Sequence, residues 1–145
     1  MPSFGTTSRR RLDTIDGRLV KVLEAAIEVY DFSVLCGHRN KKDQDAAYNS
    51  RRSKVQWPNS KHNTLPSLAV DIAPYPVRWP SLPKNPTSAD AARYEKDMGR
   101  FRFLAGLVVG IGASMGYSIR WGGDWDSDGD WDDQSFNDLP HFEVR

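Results

Sequence analysis

Two short segments in which apolar and polar residues alternate constrain the fold of this chain most strongly. Residues 68–73 read Leu-Ala-Val-Asp-Ile-Ala, and residues 141–144 read His-Phe-Glu-Val. Successive side chains of a strand point to opposite faces, so each segment as a strand directs apolar side chains into a core and polar ones away from it. The chain must therefore form a sheet with one apolar face and one face that carries Asp71, His141 and Glu143.

The polar side chains of these segments, together with a histidine ahead of the first one, have the composition of a metal site. We expect His62 to lie in the strand that leads to Asp71, and His141 to begin the second strand. Two histidines and one aspartate leave a fourth tetrahedral position for water, as catalytic zinc sites do. Asp138 is then a candidate general base for that water. Glu143 is the reserve candidate for this base, although we expect it instead to orient the groups that bind the metal.

Three motifs carry a resemblance to a known family: Ser60-x-His62, Ala69-x-Asp71 and Asp138-x-x-His141. Together they resemble the zinc peptidases of the D-alanyl-D-alanine carboxypeptidase group and the related phage L-alanyl-D-glutamate endopeptidases, and the similarity spans residues 10–145. One departure is that Asp71 follows His62 by two more positions than is usual in the group. We interpret this difference as a longer turn that contains Pro66.

The resemblance implies a zinc peptidase that hydrolyses peptidoglycan stem peptides, and specifically a phage endolysin that cleaves the L-alanyl-D-glutamate bond. In that family a corner after the first strand reads Gly-aromatic-Arg, and residues 37–39 match it except that His38 replaces the usual tyrosine. Arg39 is thereby implied to hold the scissile carbonyl oxygen or a substrate carboxylate, because a guanidinium suits both. Gln44 is implied to contact the substrate.

Two alternatives remain open from the sequence. The first is the same chemistry with a different cut, that of a D-alanyl-D-alanine carboxypeptidase or dipeptidase, in which an arginine holds the terminal carboxylate. The second is a non-catalytic module that binds zinc and calcium and recognises wall peptides. A purely structural zinc site would have a fourth protein ligand, whereas Asp138 beside an open position favours an enzyme.

A strongly acidic segment precedes the last predicted strand. Residues 124–133 read Asp-Trp-Asp-Ser-Asp-Gly-Asp-Trp-Asp-Asp, and their opening fits the calcium-loop pattern in which alternate carboxylates converge on the ion. The twelfth position is Ser135 rather than glutamate, so we expect a weaker calcium site than a full helix-loop-helix hand. Its expected ligands are Asp124, Asp126, Asp128 and Asp130. A solvated acidic loop is the alternative, while the resemblance implies a calcium switch.

The order of predicted elements indicates a single α+β domain over residues 1–145, with an antiparallel sheet, helices packed on one side and the zinc site on the open face. Helices are predicted from Asp16 onward and over residues 41–49 and 88–115, and strands over residues 32–36, 68–72, 117–121 and 141–144. Residues 1–8 have the composition of a loose arm. The proline-rich loop of residues 73–86 contributes Tyr75 and Trp79, either as a substrate wall or as rings packed on the third helix.

The composition of the chain limits which partners the protein can bind and in which cellular compartment it is made. The single cysteine excludes an internal disulfide, and Cys36 alternates with Phe32 and Val34, which predicts a buried strand residue. Basic residues predominate in residues 1–61 and acidic ones in residues 121–145, but no nucleic-acid motif accompanies them. No segment predicts stable membrane insertion or a signal peptide. We expect a monomer made in the host cytoplasm that reaches its peptidoglycan substrate through a holin-type pore.

Overall fold

A computed structural model describes residues 1–145 as four helices, one short 3-10 helix and one four-stranded sheet. In chain order the elements are α1 (Thr6–Leu12), α2 (Gly17–Ile27), β1 (Phe32–Cys36), α3 (Lys41–Asn49), the 3-10 helix (Lys61–Asn63), β2 (Ala69–Pro74), α4 (Ser88–Ser114), β3 (Ile119–Trp121) and β4 (His141–Val144). This arrangement confirms the predicted α+β class. None of the helices is both long enough and apolar enough to cross a membrane.

The sheet has the order β1-β2-β4-β3, and every neighbouring pair is antiparallel. The last strand of the sequence therefore occupies an inner position, between β2 and β3. In the β2–β4 register Asp71 lies opposite His141 and Ala69 lies opposite Glu143. Directly opposed residues of an antiparallel pair point to the same face, so the polar residues of the two alternating segments come together on one side of the sheet.

The other face of the sheet packs against α2 and α4. Fully buried side chains from both helices and from the central strands fill this layer: Leu19, Val22, Leu23, Leu104, Val108, Ile72 and Phe142. Each such side chain contributes about 1.5 to 3 kcal/mol when it leaves water. Side-chain caps begin the helices, since Asp16 accepts a hydrogen bond from the Arg18 amide, and Thr87 and Asp90 form a capping box. Because α2 and α4 both pack on the apolar face, neither of them covers the polar face.

The N-terminal residues differ from the loose arm that their composition indicated. Phe4 is buried, with its ring centroid 5.4 Å from that of Phe32, and residues 6–12 form α1. The Ser8 hydroxyl accepts a hydrogen bond from the amide of Val34 in β1. An aromatic contact and a hydroxyl contact therefore help to hold this segment on the edge strand, and average composition does not register either of them.

His62 also lies in a different element from the predicted strand. It occupies the short 3-10 helix, whose start is stabilised by Ser60 and Asn63: the Ser60 hydroxyl accepts from the His62 amide, and Oδ1 of the Asn63 side chain accepts from the Ser60 amide. Serine and asparagine side chains compete with strand pairing by bonding the nearby backbone in this way. As a result β2 begins only at Ala69.

Candidate metal centre

The structure brings His62, Asp71 and His141 to one point on the polar face of the sheet. His62 Nε2 lies 3.3 Å from Asp71 Oδ1 and 3.3 Å from His141 Nδ1, and His141 Nδ1 lies 3.4 Å from Asp71 Oδ1. Both histidines are buried. The three donor atoms therefore form a nearly equilateral triangle, although two of the residues are 79 positions apart in the sequence.

The size of this triangle matches a tetrahedral metal ion. Metal bonds of about 2.0 to 2.1 Å to nitrogen and oxygen place two tetrahedral donors about 3.3 to 3.4 Å apart, which is the spacing observed. Asp71 Oδ1 is buried but accepts no hydrogen bond. Because buried oxygens in native proteins are almost always satisfied, an unpartnered oxygen aimed at two imidazole nitrogens indicates a site that a cation completes.

The second nitrogen of each ring determines which tautomer is present. His62 Nδ1 lies 2.8 Å from the carbonyl oxygen of Gly37, and His141 Nε2 lies 2.9 Å from Glu143 Oε1. A carbonyl or a carboxylate can only accept, so these nitrogens carry the hydrogens. When the rings are neutral, the lone pairs of His62 Nε2 and His141 Nδ1 face the centre of the triangle, where they could hold an ion. Arg120 donates to the other oxygen of Glu143 at 2.8 Å and holds that carboxylate in place.

The charges around the centre shift several pKa values. Burial by itself lowers the pKa of His62, but the adjacent Asp71 carboxylate outweighs it and raises that pKa to about 10. Burial opposes ionisation of Asp71, yet the two imidazoles hold its pKa well below the usual range. The pKa of Glu143 falls to about 2 despite burial, because His141 and Arg120 bond to it. A cation and protons therefore compete for the same two imidazole nitrogens.

Asp138 lies beside the triangle without being part of it. Its Oδ2 is 3.9 Å from His141 Nδ1, and the side chain is about one-third exposed. Burial, followed by the negative charge of Asp71, raises the pKa of Asp138 above its ordinary value. A carboxylate with a raised pKa that can exchange protons with a neighbouring water has the properties required of a general acid and base.

Arg39 contacts Asp71 of the triangle, and Gln44 in turn contacts Arg39. Arg39 Nη2 lies 3.5 Å from Asp71 Oδ2, and Arg39 Nη1 donates to Gln44 Oε1 at 2.9 Å. Gln44 is fully buried, and its amide donates to the Ser53 hydroxyl and the Val55 carbonyl. The structure therefore corrects the expectation that Gln44 contacts substrate: it is enclosed by protein and positions the guanidinium of Arg39.

Cys36 is the residue near the centre that sequence reasoning missed. The β1–β2 register shifts between Val34 and Cys36, so the regular alternation of β1 ends there and Cys36 is only half-buried. Its sulfur, a nitrogen of His62 and an oxygen of Asp71 lie within 4.8 Å of one another. The predicted core position is thus wrong, and because the strand pattern gives no sign of a bulge, only the neighbouring Gly37 hinted at irregular backbone.

A cavity of about 880 Å³ opens over the centre and extends along the loop of residues 52–61. It is lined by the three triangle residues and by Arg39, Asp138 and Trp79. Trp79 also stacks on Phe101 of α4 with ring centroids 5.3 Å apart, so both roles considered for this ring are compatible. Tyr75 does not line the cavity and is 61% exposed, which corrects its expected place in the substrate wall.

The acidic segment of residues 124–133 lies next to the metal centre. One carboxylate oxygen from each of Asp124, Asp126 and Asp128 lies within 4.8 Å of the others, whereas Asp130 is outside this group and accepts a hydrogen bond from the Asp132 amide. The structure thus brings together three of the four expected calcium ligands. Trp125, within the segment, has its ring centroid 5.5 Å from that of His141.

Three protein donors with tetrahedral spacing, an adjacent carboxylate and an arginine in an open cavity fit one class of protein: hydrolases that use a metal ion. The arrangement can polarise a carbonyl group, activate a water molecule and accept its proton.

Comparisons with known proteins identify the family. The sequence model described as "Phage L-alanyl-D-glutamate peptidase" matches residues 2–145. The L-alanyl-D-glutamate peptidase of Escherichia phage T5 is 28% identical over 137 residues, which cover 90% of this chain and 87% of that protein. The crystal structure of the L-Ala D-Glu endopeptidase ChiX of Serratia marcescens has the same fold, with a TM-score of 0.69 and 23% identity over 98% of this chain and 89% of that one.

The chain belongs to the family of phage L-alanyl-D-glutamate peptidases. It is therefore a peptidase, and the resemblance inferred from the three motifs is confirmed.

Proposed function

We propose that this protein is a zinc-dependent endolysin that hydrolyses the L-alanyl-D-glutamate bond of peptidoglycan stem peptides. The observation that supports it best is the triangle of His62 Nε2, Asp71 Oδ1 and His141 Nδ1, with Asp138 beside it. Family membership favours this bond over the D-alanyl-D-alanine bond and favours an enzyme over a wall-binding module.

Zinc is the metal that suits this donor set. Two imidazoles and one carboxylate at tetrahedral spacing are typical of catalytic zinc sites, whereas magnesium and calcium prefer six or more oxygen ligands. A zinc ion held there supplies Lewis acidity toward the scissile carbonyl and lowers the pKa of a coordinated water to about 7. The remaining chemistry belongs to side chains of the protein.

Asp138 and Arg39 provide the proton transfer and the charge stabilisation. Asp138 takes a proton from the attacking water and returns it to the amine that leaves, a cycle that its raised pKa favours. Arg39 is held by Gln44 with its guanidinium facing the cavity, where it stabilises negative charge on the carbonyl oxygen or binds a substrate carboxylate. The hydrogen bond from Arg39 Nη1 to Gln44 holds the guanidinium in place and leaves other N–H groups of Arg39 available to the substrate.

Digestion of purified peptidoglycan with the zinc-loaded enzyme tests the proposal. Mass spectrometry is expected to find new amino termini on glutamate, and none after chelation of the metal. Release of free D-alanine would instead support the carboxypeptidase alternative. Binding to peptidoglycan without any new terminus would contradict the proposal altogether.

We also propose that calcium binds the carboxylates of Asp124, Asp126 and Asp128 and regulates activity. Like charges this close repel one another, and burial together with Asp128 and Asp126 raises the pKa of the adjacent Asp133. A cation that gathers them would order the segment that carries Trp125, which contacts His141.

The test measures lysis at controlled free calcium with zinc present throughout. We expect Asp126→Ala to abolish the calcium response and Asp132→Ala, outside the cluster, to keep it. Equal activity of the unaltered enzyme with and without calcium would refute this role.

Access to the wall through a holin-type pore is the remaining part of the proposal. It predicts that cells expressing the protein lyse only when a pore-forming protein is expressed with it. Lysis without such a pore would show another route.

A further inference from the structure

Three cationic side chains along the cavity have no acidic partner. Arg52, Lys54 and Lys61 line the cavity of the metal centre, and none of them lies within 4.0 Å of a carboxylate oxygen. The other two cationic side chains of the cavity both form ion pairs, Arg39 with Asp71 and Arg120 with Glu143. The loop of residues 52–61 therefore gives the cavity a wall of three positive side chains that form no ion pair.

The few contacts of these cations are with neutral groups. Arg52 Nε donates to the Ser50 hydroxyl at 2.9 Å, and Lys54 Nζ lies 4.6 Å from the centroid of the Phe136 ring. Phe136 is two residues from Asp138, so the ammonium of Lys54 lies against the segment that carries the proposed base. All three side chains are exposed and free to reorient toward an anion.

The substrate of the proposed reaction supplies suitable anions on its leaving side. Hydrolysis forms a bond from water oxygen to the alanine carbonyl carbon, breaks the bond to the glutamate nitrogen and transfers a proton to that nitrogen. Glutamate has two carboxyl groups and only one continues the chain, so the other stays free close to the scissile bond. A carboxylate bound by an ammonium or guanidinium gains a charge-assisted hydrogen bond that a primary amide cannot match.

We propose that Arg52, Lys54 and Lys61 form a carboxylate-binding wall that selects stem peptides whose leaving side carries free carboxylates over peptides in which those groups are amidated. The inference rests on the proposed function and extends it from the bond that is cut to the chemical form of the substrate. Lys54 is its centre, because it lies on the ring of Phe136, two positions before Asp138 in the sequence, and lines the same cavity as Asp138.

The experiment compares two synthetic peptides that differ only in a free or amidated carboxyl on the D-glutamate. We expect the unaltered enzyme to cleave the free form with a kcat/KM about ten-fold higher, mainly through KM. In Lys54→Gln this preference is expected to fall to about two-fold, and in Arg52→Gln with Lys54→Gln to disappear. Lys21→Gln removes the same charge from an exposed position of α2 away from the cavity and is expected to keep the preference.

The outcomes separate this inference from the function on which it rests. If neither peptide nor peptidoglycan yields a new glutamate amino terminus, the proposed function itself fails. If both peptides are cleaved but Lys54→Gln keeps the full preference, the carboxylate wall is overturned. It is also overturned if the variants lose only their binding to whole cell walls, because the cations would then serve an anionic wall polymer.

Discussion

Either His141 Nδ1 or the sulfur of Cys36 could be the third donor to the proposed zinc ion, beside His62 and Asp71. His141 Nδ1 completes a triangle of the size that zinc requires, whereas the sulfur of Cys36 is constrained only to within 4.8 Å of the His62 and Asp71 donors. We therefore expect His141→Ala to lose stoichiometric zinc and Cys36→Ser to keep it, as measured by metal analysis after dialysis. Zinc retained in His141→Ala but lost in Cys36→Ser would exchange the two assignments.

Asp138 is expected to act on protons and not on the metal. Asp138→Asn removes the base but is nearly isosteric, so zinc content and the unfolding midpoint should stay unchanged while kcat falls by about 10² to 10⁴. Steady-state kinetics on a defined peptide, with metal analysis of the same sample, gives both quantities. Near-normal turnover of this variant would remove Asp138 from the mechanism.

Among single residues, the sequence predicted Asp71 and His141 from strand alternation and His62 from its place ahead of the first strand. It could not predict that Gln44 is enclosed, because a polar residue at a helix start gives no sign of how many donors and acceptors surround it. Four residues form hydrogen bonds with the Gln44 side chain, and three of them, Ser53, Val55 and Asn63, lie nine or more positions away in the sequence.

Among the elements, the closest approach near the site is that of β3 to the segment before β4. A Cβ at Gly122 would meet the backbone carbonyl of Asp138, and the two residues already share a hydrogen bond of 2.7 Å from the Asp138 amide to the Gly122 carbonyl. Only a residue without a side chain lets Asp138 lie this near to the strand.

Gly122→Ala is accordingly expected to displace Asp138 and lower kcat by about ten-fold or more, since small shifts of a catalytic group are costly. Gly106→Ala is the matched control, because an added Cβ there meets no atom within 4 Å and alanine favours the interior of α4. Kinetics and urea unfolding of both variants make the comparison, and equal activity of the two would contradict the argument.

The elements themselves were largely predictable where local chemistry decides them. The caps at Asp16 and Asn40 and the apolar stripe of α2 place two helices as expected. The bulge in β1 and the 3-10 helix around His62 were not predictable, because both depend on contacts with partners far along the chain, such as the bond from the Arg39 amide to the His62 carbonyl.

Over the whole molecule, the metal site joins parts of the chain that are distant in sequence. Its proposed donors come from the 3-10 helix, from β2 and from β4, so we expect an ion to bind the folded chain and not the unfolded one. Binding of this kind raises the free energy of unfolding by about 4 kcal/mol when the concentration of free metal exceeds the dissociation constant a thousand-fold. We expect a chelator to lower the thermal unfolding midpoint of the unaltered protein and to leave that of His62→Ala unchanged. An equal effect of chelator on both would argue against metal at this site.

The inner position of β4 has a consequence for the timing of activity during synthesis. Residues 138–144 supply the proposed base, one metal ligand and the strand that joins β2 to β3, and they are translated after every other part of the sheet. A nascent chain that has not yet released these residues from the ribosome has neither Asp138 nor His141 in place, and we therefore expect it not to hydrolyse a peptide. Hydrolytic capacity appears in one step, when the last strand inserts between two that are already made.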